Sequence, residues 1–202
     1  MNICADIVLC KIIGKKLCVL ITQRSKEPFL GKRCLPWWFL KNDESVEETA
    51  IRVLKKETWI SHSNLEQIKV FSSPDRDPRW RSIWVAFLGI IKETVDIIPW
   101  LSQDKVIRVP MQSIPHLVFD HSMIVQDLYK TLVDGIEIWK YAPTFLEKEF
   151  TLRQLQDVYE AILLRTYEKR NFKKYILNRY KLTPTKKLRY GNAYRPSRLY
   201  TI

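Results

Sequence analysis

The sequence lacks the features that would insert it into a membrane or direct it to export. Although 46% of its 202 residues are hydrophobic, no apolar run approaches the roughly 20 residues that a membrane-spanning helix needs. The N-terminal MNICADIVLC has no basic segment before its apolar stretch and no small-residue cleavage site, so a signal peptide is not expected. We therefore expect a cytoplasmic protein that has no membrane partner.

Metal-binding patterns are also missing. The four cysteines all lie in the first 34 residues, have no Cys-x-x-Cys spacing and have no histidine nearby that would complete a zinc site. The three histidines have no metal-ligand spacing either. We expect reduced, mostly buried thiols, no metal site and no cofactor.

Positive charge is concentrated at one end of the chain. Residues 150–202 contain thirteen Lys or Arg and three acidic residues, so they carry +10 of the net charge of +12. The remaining residues are nearly neutral. Such an asymmetry indicates a separate basic unit, and the usual partner of a compact basic unit is a polyanion. Nucleic acid is the first candidate, and an anionic membrane surface is the alternative.

The first 140 residues mix strand and helix patterns. The predicted elements are a hairpin over 5–24, a helix over 45–58, strands over 65–71 and 80–91, and a helix over 121–133. Asp134 and Gly135 suit the C-terminal end of the last helix. This mixture indicates an α/β or α+β domain over residues 1–140.

The C-terminal segment has a different pattern. Thr151 and Gln154 form a capping box ahead of a predicted helix over 152–164. A basic helix follows over 169–179, and Gly191-Asn192 is a hairpin signal between two predicted strands. The order helix, basic helix, hairpin is that of a winged helix. We therefore predict a linker over 141–149 and a winged helix-turn-helix domain over 150–202.

Two groups of polar and basic residues are candidates for contact with DNA, because Lys and Arg neutralise phosphates and Asn can pair with an adenine edge. On the basic helix they are Lys169, Arg170, Asn171, Lys173, Lys174 and Asn178. On the wing they are Lys186, Lys187, Arg189, Arg195 and Arg198.

The stretch 35–60 resembles a Nudix box, whose pattern is Gly, five residues, Glu, seven residues, then Arg-Glu-aliphatic-any-Glu-Glu-any-Gly-aliphatic. In an ungapped alignment, the three carboxylates with which the family binds Mg²⁺ fall on Val53, Lys56 and Glu57. One carboxylate is too few for a hard cation, and Lys56 places a positive charge where the metal would be. The resemblance implies a Nudix-like α/β/α sandwich without hydrolase activity.

Tryptophans replace three glycines of this motif. Trp37 and Trp38 stand at the Gly-Gly pair, and Trp59 stands at the Gly that ends the helix. Glycine serves where the backbone approaches a ligand closely or adopts positive φ. The tryptophans therefore either reshape a ligand pocket or fill it as core, and the sequence leaves both possibilities open.

Further stretches resemble the NrtR-type Nudix-related transcriptional regulators. They are LEQIKVFSSPDRDPRWRSIWVAF, VFDHSMI, EFTLRQLQDVYEAILLRTYEKRNFKKYI and RPSRLYTI, although Trp80, Leu164 and Tyr194 stand where that family usually has Gly. The resemblance implies an α+β fold, a homodimer that binds a palindromic operator in double-stranded DNA, and control by a small-molecule effector. That effector is ADP-ribose, another nucleotide or a sugar.

Six residues are candidates for the effector site, because guanidinium groups suit phosphate oxygens and the two tryptophans stand at glycine positions of the motif. They are Arg24, Trp37, Trp38, Arg76, Asp77 and Arg79. Each arginine could equally be the structural partner of a nearby acid. Two other functions stay open: an active Nudix hydrolase with an accessory nucleic-acid-binding domain, and an RNA-binding or purely structural protein.

Overall fold

A mixed β-sheet forms the centre of the N-terminal part of the chain. The computed structural model describes residues 2–58, 65–92, 106–189 and 196–202, without the side chains of residues 57 and 58. The strands of this sheet are β1 (Asn2–Ile13), β2 (Lys16–Gln23), β3 (Arg33–Cys34), β4 (Trp37–Phe39), β5 (Leu65–Phe71), β6 (Ser82–Ile91) and β7 (Val106–Pro110).

The strands β1 and β2 form the predicted hairpin, which is therefore confirmed. Strand β1 also pairs in parallel with β6, and β6 pairs antiparallel with β5, which gives the order β3-β2-β1-β6-β5. The short β4 pairs with β1, and β7 pairs with β2.

Helices cover both faces of the sheet. On one face, Ile7 and Leu9 of β1 pack with Val53 of helix α1 (Val46–Thr58). On the other face, Val8 packs with the buried residues of helix α2 (His121–Glu137). The alternation follows from the two-residue period of a strand. The predicted α/β/α sandwich is confirmed.

Helix α1 begins where the sequence predicts it. The Ser45 side chain accepts a hydrogen bond from the backbone N–H of Glu48 (3.1 Å), and the Glu48 carboxylate accepts one from the N–H of Ser45 (2.7 Å). This reciprocal pair satisfies two backbone donors that have no partner within the helix.

The predicted end of α2 was wrong, since the helix continues four residues beyond Val133. Gly135 lies inside it and serves close packing instead of a C-cap, because a Cβ there would come within 2.3 Å of the Tyr141 ring. The turn that ends the helix places Trp139 in the left-handed region, at φ 68°.

The C-terminal part has the predicted winged-helix order. It contains β8 (Phe150–Thr151), α3 (Leu152–Leu163), α4 (Lys169–Arg179), β9 (Thr183–Arg189) and β10 (Ser197–Thr201), and its sheet order is β8-β10-β9. The capping box of Thr151 and Gln154 is present at the start of α3, as predicted. The predicted turn at Gly191-Asn192, together with Trp59 and Tyr194, lies outside the described residues.

The two parts of the chain share one hydrophobic core. The segment predicted as a linker contains a short 3-10 helix (Ala142–Phe145), and Tyr141, Ala142, Phe145 and Leu146 are buried. The winged helix therefore lies directly on α2. All four cysteines are buried thiols, as predicted. In the described part of the chain, none of the helices is long and apolar enough to cross a bilayer.

Candidate effector cavity and DNA-binding surface

A cavity of about 930 Å³ opens beside the N-terminus of α2. Its walls come from the segment before β3, from the loop after β5 and from the residues that lead into α2. Its volume is within the range of small-molecule sites, which runs from roughly 300 to 1,000 Å³. The basic side chains in its lining are Lys32, Arg33 and Arg76, and the acidic ones are Asp75 and Asp120.

Arg76 is buried in the cavity wall. Its guanidinium donates to the carbonyl of Phe71 (2.5 Å) and to Oδ1 of Asp120 (2.5 Å), and it lies 4.1 Å from the centre of the Trp84 ring. The Arg76 nitrogen that bonds Asp120, Nη2, also lies 4.0 Å from Oδ2 of Asp6. The loop after β5 is thereby tied to the residue before α2, and the positive charge of Arg76 is buried beside this cavity.

His121, the first residue of α2, is buried behind Arg76. Its Nδ1 accepts a hydrogen bond from the backbone N–H of Leu35 (3.0 Å), and its Nε2 lies 3.6 Å from Asp6. Burial lowers the pKa of His121 well below its usual value and raises the pKa of Asp6 well above its usual value. His121 is therefore a buried residue of the helix and not an exposed acid or base.

Arg24 and Arg79 lie close to the Phe119 ring, which lines the cavity. The Arg24 guanidinium is 4.9 Å from that ring and 5.5 Å from the ring of Trp37. Arg79 forms two hydrogen bonds with the carboxylate of Asp77 (2.9 and 2.7 Å). The structure thus brings Arg24, Trp37, Asp77 and Arg79 together.

The two adjacent tryptophans point to opposite faces of the sheet. Trp37 stacks on Trp84, with ring centres 5.0 Å apart, on the face that α2 covers. Trp38 pairs with Ala5 and lies on the α1 face, where its ring is 39% exposed and lies 3.9 Å from Nζ of Lys56. The alternation of a strand separates them, so Trp38 does not join the other candidates for the effector site.

Two of the three positions that the alignment assigns to the family's metal-binding carboxylates hold side chains without oxygen, Val53 and Lys56. Val53 is 2% exposed and packs against the sheet, while Lys56 lies over the Trp38 ring. An apolar side chain and an ammonium group supply no oxygen ligand for Mg²⁺. Across the ranges that the structure describes, no group of three or more His, Cys, Asp or Glu residues is placed to hold a metal.

Glu44, which matches the first Glu of the Nudix pattern, has a structural role. Its carboxylate accepts hydrogen bonds from Nε of Arg52 (2.8 Å) and from the Thr49 hydroxyl (2.9 Å). The hydrogen bonds from Arg52 are the main reason that the pKa of Glu44 is lowered to about 2. This ion pair connects the loop after β4 to α1. Both of its residues, Glu44 and Arg52, match the Nudix pattern.

The polar face of α4 is exposed. Phe172 and Ile176 are buried against the rest of the winged helix, which turns the other residues of α4 outward. The six candidates of this helix, residues 169–171, 173, 174 and 178, are all exposed. The predicted polar face is therefore present as a surface.

Two residues of α4 were not among the candidates. Tyr175 and Arg179 line a shallow depression with Asn171, Lys174 and Asn178. Their spacing of four residues, on the same side as Asn171, was the signal that could have found them.

The wing residues are exposed as well. They are Lys186, Lys187 and Arg189 on β9 and Arg198 on β10, while Arg195 lies outside the described residues. Nζ of Lys187 is 3.0 Å from the carboxylate of Glu149. Its charge is therefore partly balanced within the protein.

These features define a class of protein: a Nudix-type sandwich followed by a winged helix. Comparison with known families agrees with it. A family model described as NUDIX domain matches residues 3–124, and one described as NrtR DNA-binding winged helix domain matches residues 143–202. The chain belongs to the NUDIX family, and its C-terminal part is a winged helix of the NrtR type.

Three relatives illustrate the similarity. An ADP-ribose pyrophosphatase of Methanocaldococcus jannaschii is 33% identical over 121 residues, which is 57% of this chain and 68% of that protein. The ADPR responsive transcriptional repressor NtrR of Acinetobacter baylyi is 25% identical over 205 residues, 96% of this chain and 79% of that protein. The crystal structure of Shewanella oneidensis NrtR complexed with a 27mer DNA has 29% identity and a TM-score of 0.80, and the match covers 99% of this chain and 93% of that one.

Proposed function

We propose that this protein is a transcriptional repressor without hydrolase activity. It binds a palindromic operator as a homodimer through α4 and the wing, and an ADP-ribose-like nucleotide bound by the Nudix-type domain controls that binding. The observation that carries the proposal is the basic, outward-facing surface of α4 on a chain that matches an NrtR-DNA complex over 99% of its length. We also propose that it acts in the cytoplasm, which is consistent with its DNA-binding domain.

DNA binding is tested with duplexes from the region upstream of the protein's own gene. Phosphate contacts release counterions, so the affinity for duplex DNA falls steeply with salt. We expect a specific site with two half-sites about one helical turn apart, and a dimer in light scattering. Affinity no better than for unrelated duplexes, or a preference for single-stranded RNA, would contradict the proposal.

The cavity beside α2 supports a small anionic effector. Arg76 lines it, and Arg24 and Arg79 lie against its Phe119 wall. Guanidinium groups suit the oxygens of a diphosphate, and aromatic rings suit a base or ribose. A ligand that binds the folded chain raises its apparent stability, so ADP-ribose, NAD, other nucleotides and pentoses are compared by thermal shift. A thermal shift with pentoses alone would show that the effector is a sugar and not a nucleotide.

Hydrolysis of ADP-ribose is the second candidate function, because the Methanocaldococcus relative bears that activity in its name. The side chains at Val53 and Lys56 argue against it, since neither offers a metal ligand. AMP release from ADP-ribose with Mg²⁺ tests this point. We expect none from the wild type, and release at an enzymatic rate would establish the hydrolase instead. A variant that combines Val53→Glu with Lys56→Glu tests whether the scaffold can still hold Mg²⁺.

A further inference from the structure

Helix α2 contacts the cavity at its N-terminus. Asp120, the residue before the helix, lines the cavity and accepts a hydrogen bond from Arg76 instead of capping the helix with its side chain. His121 follows it and is held by the N–H of Leu35. The Asp120 side chain is 13% exposed and the Arg76 side chain behind it is fully buried. A ligand in the cavity therefore contacts Asp120, and through it the bond that ties the first turn of α2 to Arg76.

The C-terminus of α2 is bonded to the DNA-binding helix. The last carbonyls of a helix have no partner within it and are free to accept. The carbonyl of Glu137 accepts hydrogen bonds from the Tyr180 hydroxyl (2.6 Å) and from Nη2 of Arg179 (3.2 Å), at the end of α4. The carbonyl of Ile136 accepts one from Tyr159 of α3 (3.2 Å).

A strained residue strengthens this junction. Trp139 adopts φ 68°, in a region that costs a non-glycine residue roughly 1–2 kcal/mol. Its indole stacks on the Tyr180 ring, with centres 4.2 Å apart and planes 29° from parallel. Glycine would end α2 without strain but would leave Tyr180 without this contact. Backbone strain of this kind is a reason to look for a function of the residue.

The helix between these ends is suited to transmit a displacement. It has 17 residues, so its ends are about 25 Å apart. Ile124, Leu128 and Leu132 are buried along its length, and close-packed interiors deform little. Between its ends, the Tyr129 hydroxyl donates to the carbonyl of Ile162 of α3 (2.7 Å).

We propose that α2 couples the cavity to the DNA-binding helix, and that Tyr180 and Trp139 are the positioning residues through which α2 holds α4. This inference rests on the proposed function, because it requires that the chain bind DNA under control of a ligand in the cavity. It adds the path of the coupling: Arg76 and Asp120 at one end, and the Glu137 carbonyl at the other.

The test compares full-length wild type with Tyr180→Phe, which loses the hydroxyl bond and keeps the stacking. The probe is ADP-ribose, and the DNA is a duplex that the wild type selects from a random pool. We measure the Kd for this duplex with and without saturating ADP-ribose. The ratio of the two values is the coupling factor. Tyr200→Phe is the matched control, since its hydroxyl has no hydrogen-bond partner among the residues described.

In Tyr180→Phe we expect the ADP-ribose-free Kd to stay within about threefold of the wild type, whereas the coupling factor falls by about fivefold, the equivalent of one ordinary hydrogen bond. Trp139→Gly relieves the strained turn but removes an indole that packs on the core, so circular dichroism first checks that it is folded. We expect it to reduce the coupling factor similarly. Tyr200→Phe keeps it. If the wild type responds to ADP-ribose and both junction variants respond equally, this inference is wrong and the proposed function stands. If the wild type binds the duplex without any response, the proposed effector is wrong and the inference falls with it.

Discussion

Leu164 ends α3 in the left-handed conformation, with φ 53° and ψ 34°. It lies in the turn between α3 and α4, where the related regulators usually have Gly. Left-handed geometry costs an L-amino acid roughly 1–2 kcal/mol, and Gly has no such cost. Replacing Leu by Gly also increases the conformational entropy of the unfolded chain, which offsets about 0.5–1 kcal/mol.

The Leu164 residue is 48% exposed, so Leu164→Gly also loses the contacts of a half-buried side chain, and Leu164→Ala loses nearly the same contacts. The expectation is therefore that Leu164→Gly is more stable than Leu164→Ala by about 0.5–1 kcal/mol. For a chain of this size that corresponds to a difference in Tm of about 1–4 °C. Urea unfolding followed by circular dichroism measures the free energy of unfolding, and calorimetry measures the Tm.

Leu164→Ala is the matched control, because it removes the same side chain and keeps the Cβ that causes the strain. We expect no stabilisation from it. If the Gly and Ala variants are equally stable, the turn carries no strain and the reasoning is wrong.

Three further predictions concern single positions. Asn171→Ala relaxes base preference at one operator position by about 1–3 kcal/mol, as measured by competition among single-base operator variants. A uniform loss of affinity over all variants would contradict this prediction. Lys187→Ala weakens binding to all duplexes alike and lowers the slope of log K against log salt by about 1. The change in slope is smaller if the ion pair of Lys187 with Glu149 persists in the complex, and an unchanged slope means that Lys187 contacts no phosphate. Gly135→Ala destabilises the fold by about 1–3 kcal/mol in urea unfolding, because its Cβ overlaps the Tyr141 ring; a stability equal to that of the wild type would show that the ring moves aside at no cost.

Elements with local signals were predictable from the sequence. The start of α3 depends on Thr151 and Gln154, three residues apart, and the capping box is present as predicted. The end of α2 depends on Gly135 and the ring of Tyr141, which meet only after the chain has folded. The preference of glycine for helix ends therefore led to a wrong prediction for Gly135, because tertiary packing determines its role.

The candidate site was predictable in its residue types and not in its pairings. Arg76 and Asp120 are 44 residues apart, and no spacing in the sequence connects them. Trp37 and Trp38 were treated together because they are adjacent, whereas a three-residue strand places them on opposite faces. Such a strand is too short for its alternation to be detected in the sequence.

Asp6 gives a prediction for pH. Its carboxylate is buried, and neither oxygen has a hydrogen-bond partner among the described residues, so burial raises its pKa although Arg76 opposes the shift. A carboxyl whose pKa is higher in the folded state than its unfolded value near 4 stabilises the fold below that value. This stabilisation is lost as the pH rises toward the folded pKa, at up to about 1.4 kcal/mol per pH unit.

Asp6→Asn removes this dependence while nearly keeping the shape of the protonated acid. We therefore expect the wild type to lose stability relative to Asp6→Asn as the pH rises from 5 to 8 in urea unfolding. The lowered pKa of His121 contributes the opposite slope below pH 6.5, since the unfolded state then binds the extra proton. Because His121 lies 3.6 Å from Asp6, the slope is compared between pH 6.5 and 8, where this contribution is absent. If the stability difference between the two proteins is instead constant over that range, the positive charge of Arg76 outweighs burial, and Asp6 is an ionised partner of that arginine at neutral pH.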